Sequence, residues 1–278
     1  MLIAQISDLH VRPAGALAYG VSETNLSTEH AIHALLRLDP APDCVLVTGD
    51  LTDCGLDEEY ALLSGLLARL PMPVYAVPGN HDRREPFRRA FAGAGYLPAQ
   101  GPLDYAVSCG PVRIVALDSL VPGESHGALG PDTIAFLEAA LAAERDAPTL
   151  VMLHHPPFAC GIGHMDRVGL LEGARELERV VAAHPQVQRV LCGHVHRSIQ
   201  RLFGGTLCQV APSVTHQVAL DLTPDGPSVF VLEPPGFLLH RFDGGQVVTH
   251  TAMTDRAPGP FPFALPDDYP GRRSTPPA

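Results

Sequence analysis

The sequence contains no lysine. All 19 basic residues are arginine, which removes a P-loop lysine, a Schiff-base amine and a lysine general base in one step. Tryptophan is absent too, and aromatics make up 6% of the chain, so no aromatic platform announces itself. The six cysteines (44, 54, 109, 160, 192 and 208) show no Cys-x-x-Cys and no even spacing; reduced thiols fit this better than a disulfide framework. No apolar run approaches 18 residues, and Met1 leads into Leu-Ile-Ala-Gln-Ile without a basic region or cleavage site. Membrane spanning and export are therefore not expected, and the expected location is the cytoplasm. Positive charge is scarce: 19 − 30 gives −11 with histidine neutral. Such a field repels polyphosphate, so no nucleic acid or anionic membrane surface is expected as a partner.

Apolar residues are plentiful, at 46% against 18% charged over 278 residues, enough for a proper core without staples. Short runs of strand length at 2–6, 44–47, 74–77, 112–117, 150–153 and 187–192 alternate with helical patterns at 27–38, 57–70, 131–145 and 172–183. Asp57 and Glu58, or Pro131 and Asp132, stand where a helix start prefers them. This is a layered α/β pattern. Hairpins follow around Gly204-Gly205 (199–203 with 206–210) and Asp243-Gly244-Gly245 (237–242 with 246–251), giving the second half an antiparallel character. From Ala257 to Ala278 the composition shifts to Pro, Gly and polar residues.

Metal-type residues gather where strands end. Asp8-Leu9-His10, Gly49-Asp50-Leu51-Thr52-Asp53, Gly79-Asn80-His81-Asp82, His154-His155-Pro156-Pro157 and Gly193-His194-Val195-His196 each follow an expected strand. Ligand sites of α/β sheets collect at those ends. In Asp-x-His the two side chains share a face of an extended segment, so both reach one ion. A carboxylate such as Asp50 can bridge two cations, which together arm a water and hold phosphoryl oxygens. Imidazole and carboxylate donors suit Zn, Fe, Mn or Co. Gly49, Gly79 and Gly193 precede ligand candidates, as a chain turning tightly around a metal pair requires.

The five blocks, in this order, resemble the calcineurin-like metallophosphoesterases. The Tyr19 to Asn25 stretch, His-His-Pro-Pro and Thr215-His216-Gln217 resemble the branch holding bacterial glycerophosphodiesterases and class III cyclic nucleotide phosphodiesterases. The resemblance implies an α/β four-layer αββα sandwich of two mixed sheets, with residues 1–220 catalytic. Residues 221–278 then form a small antiparallel cap and Pro-rich arm. It implies two divalent or trivalent ions, one on Asp8, His10, Asp50 and His196, the other on Asp50, Asn80, His154 and His194. His81 becomes an unligated catalytic histidine, with Asn80, His81 and His216 facing substrate. The implied reaction is hydrolysis of a small phosphodiester by metal-bound hydroxide. A cyclic-AMP-selective phosphodiesterase, a phosphomonoesterase and a non-catalytic scaffold are the alternatives. A homo-oligomer is expected through the cap, from Phe237-Leu238-Leu239 and from Phe261, Phe263 and Tyr269 of the arm.

Plainer readings suit other residues. His30 and His33 sit on one helix face, and His155 packs beneath the site rather than ligating. Asp53 and Asp82 are expected to hold neighbouring imidazoles or loop amides. The run Asp82-Arg83-Arg84-Glu85 with Arg88-Arg89 reads as a solvated helix face. Cys54 and Cys160 lie near the site loops without the surroundings of a nucleophile.

Overall fold

In the computed structural model, which describes residues 1–263, the first half lays down β1 (Leu2–Ile6), α1 (Thr24–Leu36), β2 (Cys44–Thr48), α2 (Asp57–Leu67), β3 (Val74–Val77) and α3 (Arg84–Ala90). Next come β4 (Tyr105–Cys109), β5 (Val112–Ala116), β6 (Gly127–Ala128), α4 (Pro131–Ala143), β7 (Thr149–Met152), α5 (Gly163–Asp166), β8 (Leu170–Glu172) and α6 (Ala174–Ala182). The chain then forms β9 (Val187–Cys192), β10 (Ile199–Phe203), β11 (Thr206–Val210), β12 (Gln217–Val218), β13 (Phe230–Val231), β14 (Gly236–Phe242) and β15 (Val247–Met253).

Two mixed sheets stack face to face, ordered β15-β14-β1-β2-β3 and β10-β11-β9-β7-β5-β4. Strand alternation sorts the side chains into three cores. Ile3, Leu46, Val77, Ile114, Leu150, Met152 and Leu191 meet between the sheets. Ala4, Ile6, Val45 and Val47 turn outward to Ile32 and Leu35 of α1 and Leu63 of α2. Val115, Val151 and Val190 turn outward to Leu137 of α4 and Leu177 and Val180 of α6. The result is the expected four-layer αββα sandwich. Every residue of β2 and β7 is buried, which is why these runs read as uninterrupted rather than alternating.

α2 opens on Asp57, Glu58 and Glu59, and the Glu59 carboxylate accepts the Leu56 amide at 3.0 Å. α1 starts at Thr24, three residues earlier than its apolar period suggests, and has no side-chain cap. Tertiary contacts set this start: the Thr24 hydroxyl donates to the His10 carbonyl (2.7 Å), and the Asn25 amide brackets the Arg12 backbone. The helix is thereby tied to the loop carrying His10.

The second half is less antiparallel than expected, because β11 runs parallel to β9 and β7 parallel to β5. The expected C-terminal cap is corrected as well. β14 pairs antiparallel with β1 (Ile3 with His240, Gln5 with Leu238), so the hairpin completes the first sheet. Phe237 and Leu238 are buried rather than available to a partner. Pairing is the physical reason: without β14, the buried edge of β1 would keep backbone donors and acceptors without partners. Phe261 and Phe263 are exposed; Tyr269 and the rest of the arm lie outside the described residues.

His240 lies beneath this edge, bonded to Thr249 Oγ1 (2.9 Å) and Gln5 Oε1 (3.0 Å). Burial, with Arg189 adding to it, pushes its pKa down to about 3 from 6.5. The unfolded chain takes up a proton at this side chain once the pH falls below 6.5, whereas the folded chain does not until near 3. His240 therefore erodes stability between those values, by about 2 kcal/mol at pH 5. The difference in unfolding free energy between pH 7.5 and pH 5 is expected to be smaller by that amount in His240→Gln. An identical difference in both proteins would show that His240 titrates normally.

Candidate metal centre

All five expected blocks converge at one edge of the sandwich, past the carboxyl ends of β1, β2, β3, β7 and β9. The loops are laced together by their backbones: Asp8 N donates to Gly49 O at 3.1 Å and His10 N to Asp50 O at 2.9 Å. His194 N donates to the Asp8 carboxylate at 3.1 Å, and His81 N to Asp50 Oδ1 at 2.9 Å. Asp8, His10, Asp50, His194 and His196 all have φ between 46° and 71°. That left-handed conformation costs a non-glycine residue about 1–2 kcal/mol, and strain of this kind clusters where geometry serves a ligand. Close approach requires glycine at positions 79 and 193. A Cβ at Gly79 would fall on the Asp50 carboxylate, and one at Gly193 on Ser7 Oγ and the Asp8 carboxylate.

Ligand atoms of Asp8, His10, Asp50 and His196 lie within 4.8 Å of one another. Around Asp50, on its other side, His154 Nε2 lies 3.3 Å from Asp50 Oδ2 and 3.2 Å from Asn80 Oδ1. A ring nitrogen of His194 falls within 4.8 Å of one on His154. The structure thus brings together each of the seven residues singled out as ligands.

The donor chemistry of this cluster fits cations. His196 Nδ1 donates to His216 O (2.8 Å) and His154 Nδ1 to Thr48 O (2.7 Å), while His10 Nδ1 meets Asp53 Oδ1 (3.2 Å). Each outer nitrogen is spent on an acceptor, which turns a bare Nε2 inward. His10 Nε2 and His196 Nε2 then face each other at 3.1 Å, and the buried His194 Nε2 has no hydrogen-bond partner. Lone pairs and carboxylates crowded in this way call for positive charge at their centre.

Electrostatics agree. Burial pushes Asp8 up, yet His196 and His154 outweigh it and bring it down to about 2. Burial pulls His154 down, but Asp50 beside it raises it to about 9. A cation bound there would replace that proton, which is how metal binding and pKa are linked. His194, buried and next to His154, falls to about 3 and stays neutral.

Around these ligands stand the expected supports. Asp53 steadies His10, and its carbonyl accepts His81 Nδ1 at 2.7 Å. Asp82 accepts the Gly79, Leu51 and Thr52 amides, the Thr52 hydroxyl and the Tyr60 hydroxyl (2.7 Å). His155 is buried with Nδ1 on Ser119 Oγ at 2.8 Å. One reading is corrected. Arg84 is not a solvated helix residue; it forks onto the buried Asp118 carboxylate (2.6 and 3.1 Å) and ties α3 to the loop after β5.

The centre floors a cavity of about 430 Å³ lined by His81, His216, Tyr19, Phe230, Val218, Val229, Ser125 and His164, among others. His216 packs against His10 and His196, with ring centroids 5.2 and 4.9 Å away. Tyr19, Phe230 and His216 form an aromatic wall with centroids 4.9 to 5.5 Å apart. Composition gave no sign of it, because Phe230 lies on a two-residue strand that reaches Tyr19 only through the pairing of β12 with β13.

This fold and centre define a metallophosphoesterase. A family model described as calcineurin-like phosphoesterase matches residues 1–198. The chain belongs to the calcineurin-like phosphoesterase family. It is 37% identical, over 95% of its length and 97% of the relative's, to an Arcobacter nitrofigilis protein named "Probable glycerophosphodiester phosphodiesterase GpdQ". It is 32% identical to the 3',5'-cyclic adenosine monophosphate phosphodiesterase CpdA of Pseudomonas aeruginosa, over 92% of this chain and 90% of that one. Its fold is similar to that of a dimetal phosphatase from Danio rerio, with a TM-score of 0.67, 14% identity and coverage of 91% and 96%. No helix among the described residues is long and apolar enough to cross a membrane.

Proposed function

We propose that the protein is a metal-dependent phosphodiesterase that hydrolyses small phosphodiesters, glycerophosphodiesters and cyclic nucleotides among them. The observation that carries this reading is the cluster of carboxylates and imidazoles centred on Asp50, with the ring Nε2 atoms of His10, His154 and His196 gathered beside an open cavity. Asp8, His10, Asp50 and His196 would hold one cation and Asp50, Asn80, His154 and His194 a second, and such ions, when bound, would supply positive charge to phosphoryl oxygens and lower the pKa of water. The nitrogen and oxygen donors suit Fe, Mn, Zn or Co.

His81 supplies the acid. Its Nδ1 is pinned on Asp53 O, which leaves Nε2 to the cavity. Burial lowers its pKa, but Asp50, Asp53 and Asp82 together hold it above the ordinary imidazole value. In its imidazolium form it hands a proton to the departing alkoxide as water adds to phosphorus and the P–O ester bond breaks. His81→Ala is expected to keep both metals by elemental analysis while slowing turnover of glycerophosphoethanolamine, whose alkoxide leaving group needs a proton, by about 10²–10⁴-fold. Loss of a metal equivalent would make His81 a ligand instead.

The aromatic wall of Tyr19, Phe230 and His216 favours a second reading, selectivity for cyclic AMP, whose base can stack there. Ranking kcat/KM for cyclic AMP, glycerophosphoethanolamine and a monoester on one preparation separates the two. A non-catalytic scaffold is disfavoured, since such a chain has no need of strained ligand positions. With Phe237 and Leu238 in the core, the expected homo-oligomer rests on the exposed Phe261 and Phe263. Free thiols, including Cys192 and Cys208 with Sγ atoms 3.7 Å apart, suit the reducing cytoplasm.

A further inference from the structure

The cavity has apolar walls made by Met165, Val168, Val218, Val229 and Phe230, and two of the segments that line it carry exposed apolar residues close by in the chain. On one side, the turn around Tyr19 exposes Leu17, Tyr19 and Val21; on the other, the segment containing β12 and β13 exposes Leu220, Leu222, Val229 and Leu232. The three leucines of that segment are 61–65% exposed. Rings of Tyr19 and Phe230, 5.4 Å apart, join the two sides. At its tip the segment packs on the residues leading into α5, with Leu222 at Gly161 and Pro224 at Gly163. It therefore spans the mouth from Tyr19 to α5, and α5 itself contributes His164 and Met165 to the cavity.

Isolated apolar side chains in solvent need no explanation, but these seven all stand on the two segments that supply Tyr19, Val218, Val229 and Phe230 to the cavity wall, and exposed apolar surface gathered in this way meets something. The patch flanks both sides of the mouth, so a protein seated on it would shut the entrance. A chain attached to a bound phosphodiester would lie on it while the phosphate stays at the ligands. Neither a glyceryl group nor a cyclic nucleotide has atoms that use these leucines.

We infer that the protein also hydrolyses amphiphilic phosphodiesters carrying a single alkyl or acyl chain. The phosphate sits at the Asp50 cluster, and the chain runs along Tyr19 and Phe230 onto Leu220, Leu222 and Leu232. This rests on the phosphodiesterase reading and adds a substrate class to it. The net charge of −11 points to monomeric amphiphiles rather than an anionic bilayer. The bookkeeping is unchanged: water adds to phosphorus, one P–O ester bond breaks, and the departing alcohol takes the proton.

The test is a series of methyl, butyl and octyl p-nitrophenyl phosphates, each kept below its micelle-forming concentration. One fully buried methylene is worth about fourfold, and a chain only partly covered along its length is expected to raise kcat/KM roughly 30-fold from methyl to octyl. In Leu220→Ser/Leu222→Ser/Leu232→Ser, checked for folding by circular dichroism, that ratio is expected to fall below about fivefold. A flat series in the unaltered protein, which needs no variant, overturns the inference. So does a ratio that persists in the triple variant, including when light scattering shows that the variant has lost mass and the leucines join copies. If the octyl series is flat but the methyl ester is cleaved, the phosphodiesterase reading stands alone; if no member is cleaved, both fall.

Discussion

Asp50→Ala is expected to lower kcat/KM for bis(p-nitrophenyl) phosphate by more than about 1000-fold and to leave the protein unable to hold two metal equivalents. Asp50 is the one carboxylate shared by both ligand groups: Oδ2 lies 3.7 Å from His10 Nε2 and 3.3 Å from His154 Nε2. Its Oδ1 accepts the His81 amide, so the same side chain also places the proposed acid. Removing it takes away the charge that opposes two cations and leaves His154 in a desolvated pocket without its main partner. The fold should survive, because the φ of 49° at this position already strains the aspartate and alanine there costs at most about 1–2 kcal/mol. Metal analysis beside a circular dichroism melt checks this; a variant with two bound equivalents and near-normal turnover would contradict it.

Asp82→Ala is expected to produce the second largest effect, although Asp82 is buried and is not among the residues lining the cavity. Its buried carboxylate gathers amides from the loop after β2 and the loop after β3, together with the Tyr60 hydroxyl. Burial, with Asp50 nearby, raises its pKa to about 6, against the pull of those donors. Deleting the acceptor leaves three amides and two hydroxyls facing no partner, a cost of about 3–5 kcal/mol in unfolding free energy. It also frees the loops that carry Asp50 and Asn80, so metal affinity is expected to drop about 10–100-fold. Denaturant melts and a metal titration on the same variant test both parts. Asp82→Asn keeps an acceptor oxygen and is expected to recover part of each loss; an affinity unchanged in Asp82→Ala would confine this residue to stability.

Much of the architecture was legible because burial imposes its period on the sequence. The runs 2–6, 74–77 and 187–192 and the hairpin 199–203 with 206–210 match their strands in length, since each is bounded by Gly, Pro or a polar cluster. β4 escaped notice because Tyr105–Cys109 has a mixed pattern of exposure at the edge of its sheet. The hairpin at 236–253 was legible as a hairpin but not in its place: local turn chemistry says that two strands pair, and only the open edge of β1 says where they go.

That the candidate ligands would converge was legible for a different reason. Metal chemistry tolerates few residue types, and Asp-x-His, Gly-Asn-His-Asp and Gly-His-x-His keep their candidate ligands within four residues of a strand end. Tyr19 with Phe230, and Arg84 with Asp118, were not legible. Each pair is separated by tens to hundreds of positions and meets only once the loops are packed. An arginine next to Glu85 looks like surface until a buried carboxylate takes its fork.

The central claim is that the residues around Asp50 hold cations on which phosphodiester hydrolysis depends. Stripping the purified protein with a chelator, then titrating back Mn, Zn, Co or Fe while following bis(p-nitrophenyl) phosphate cleavage, tests it most directly. The account predicts that activity disappears on stripping and returns to a plateau at two equivalents per chain. Full activity in protein shown by elemental analysis to be free of metal would contradict it.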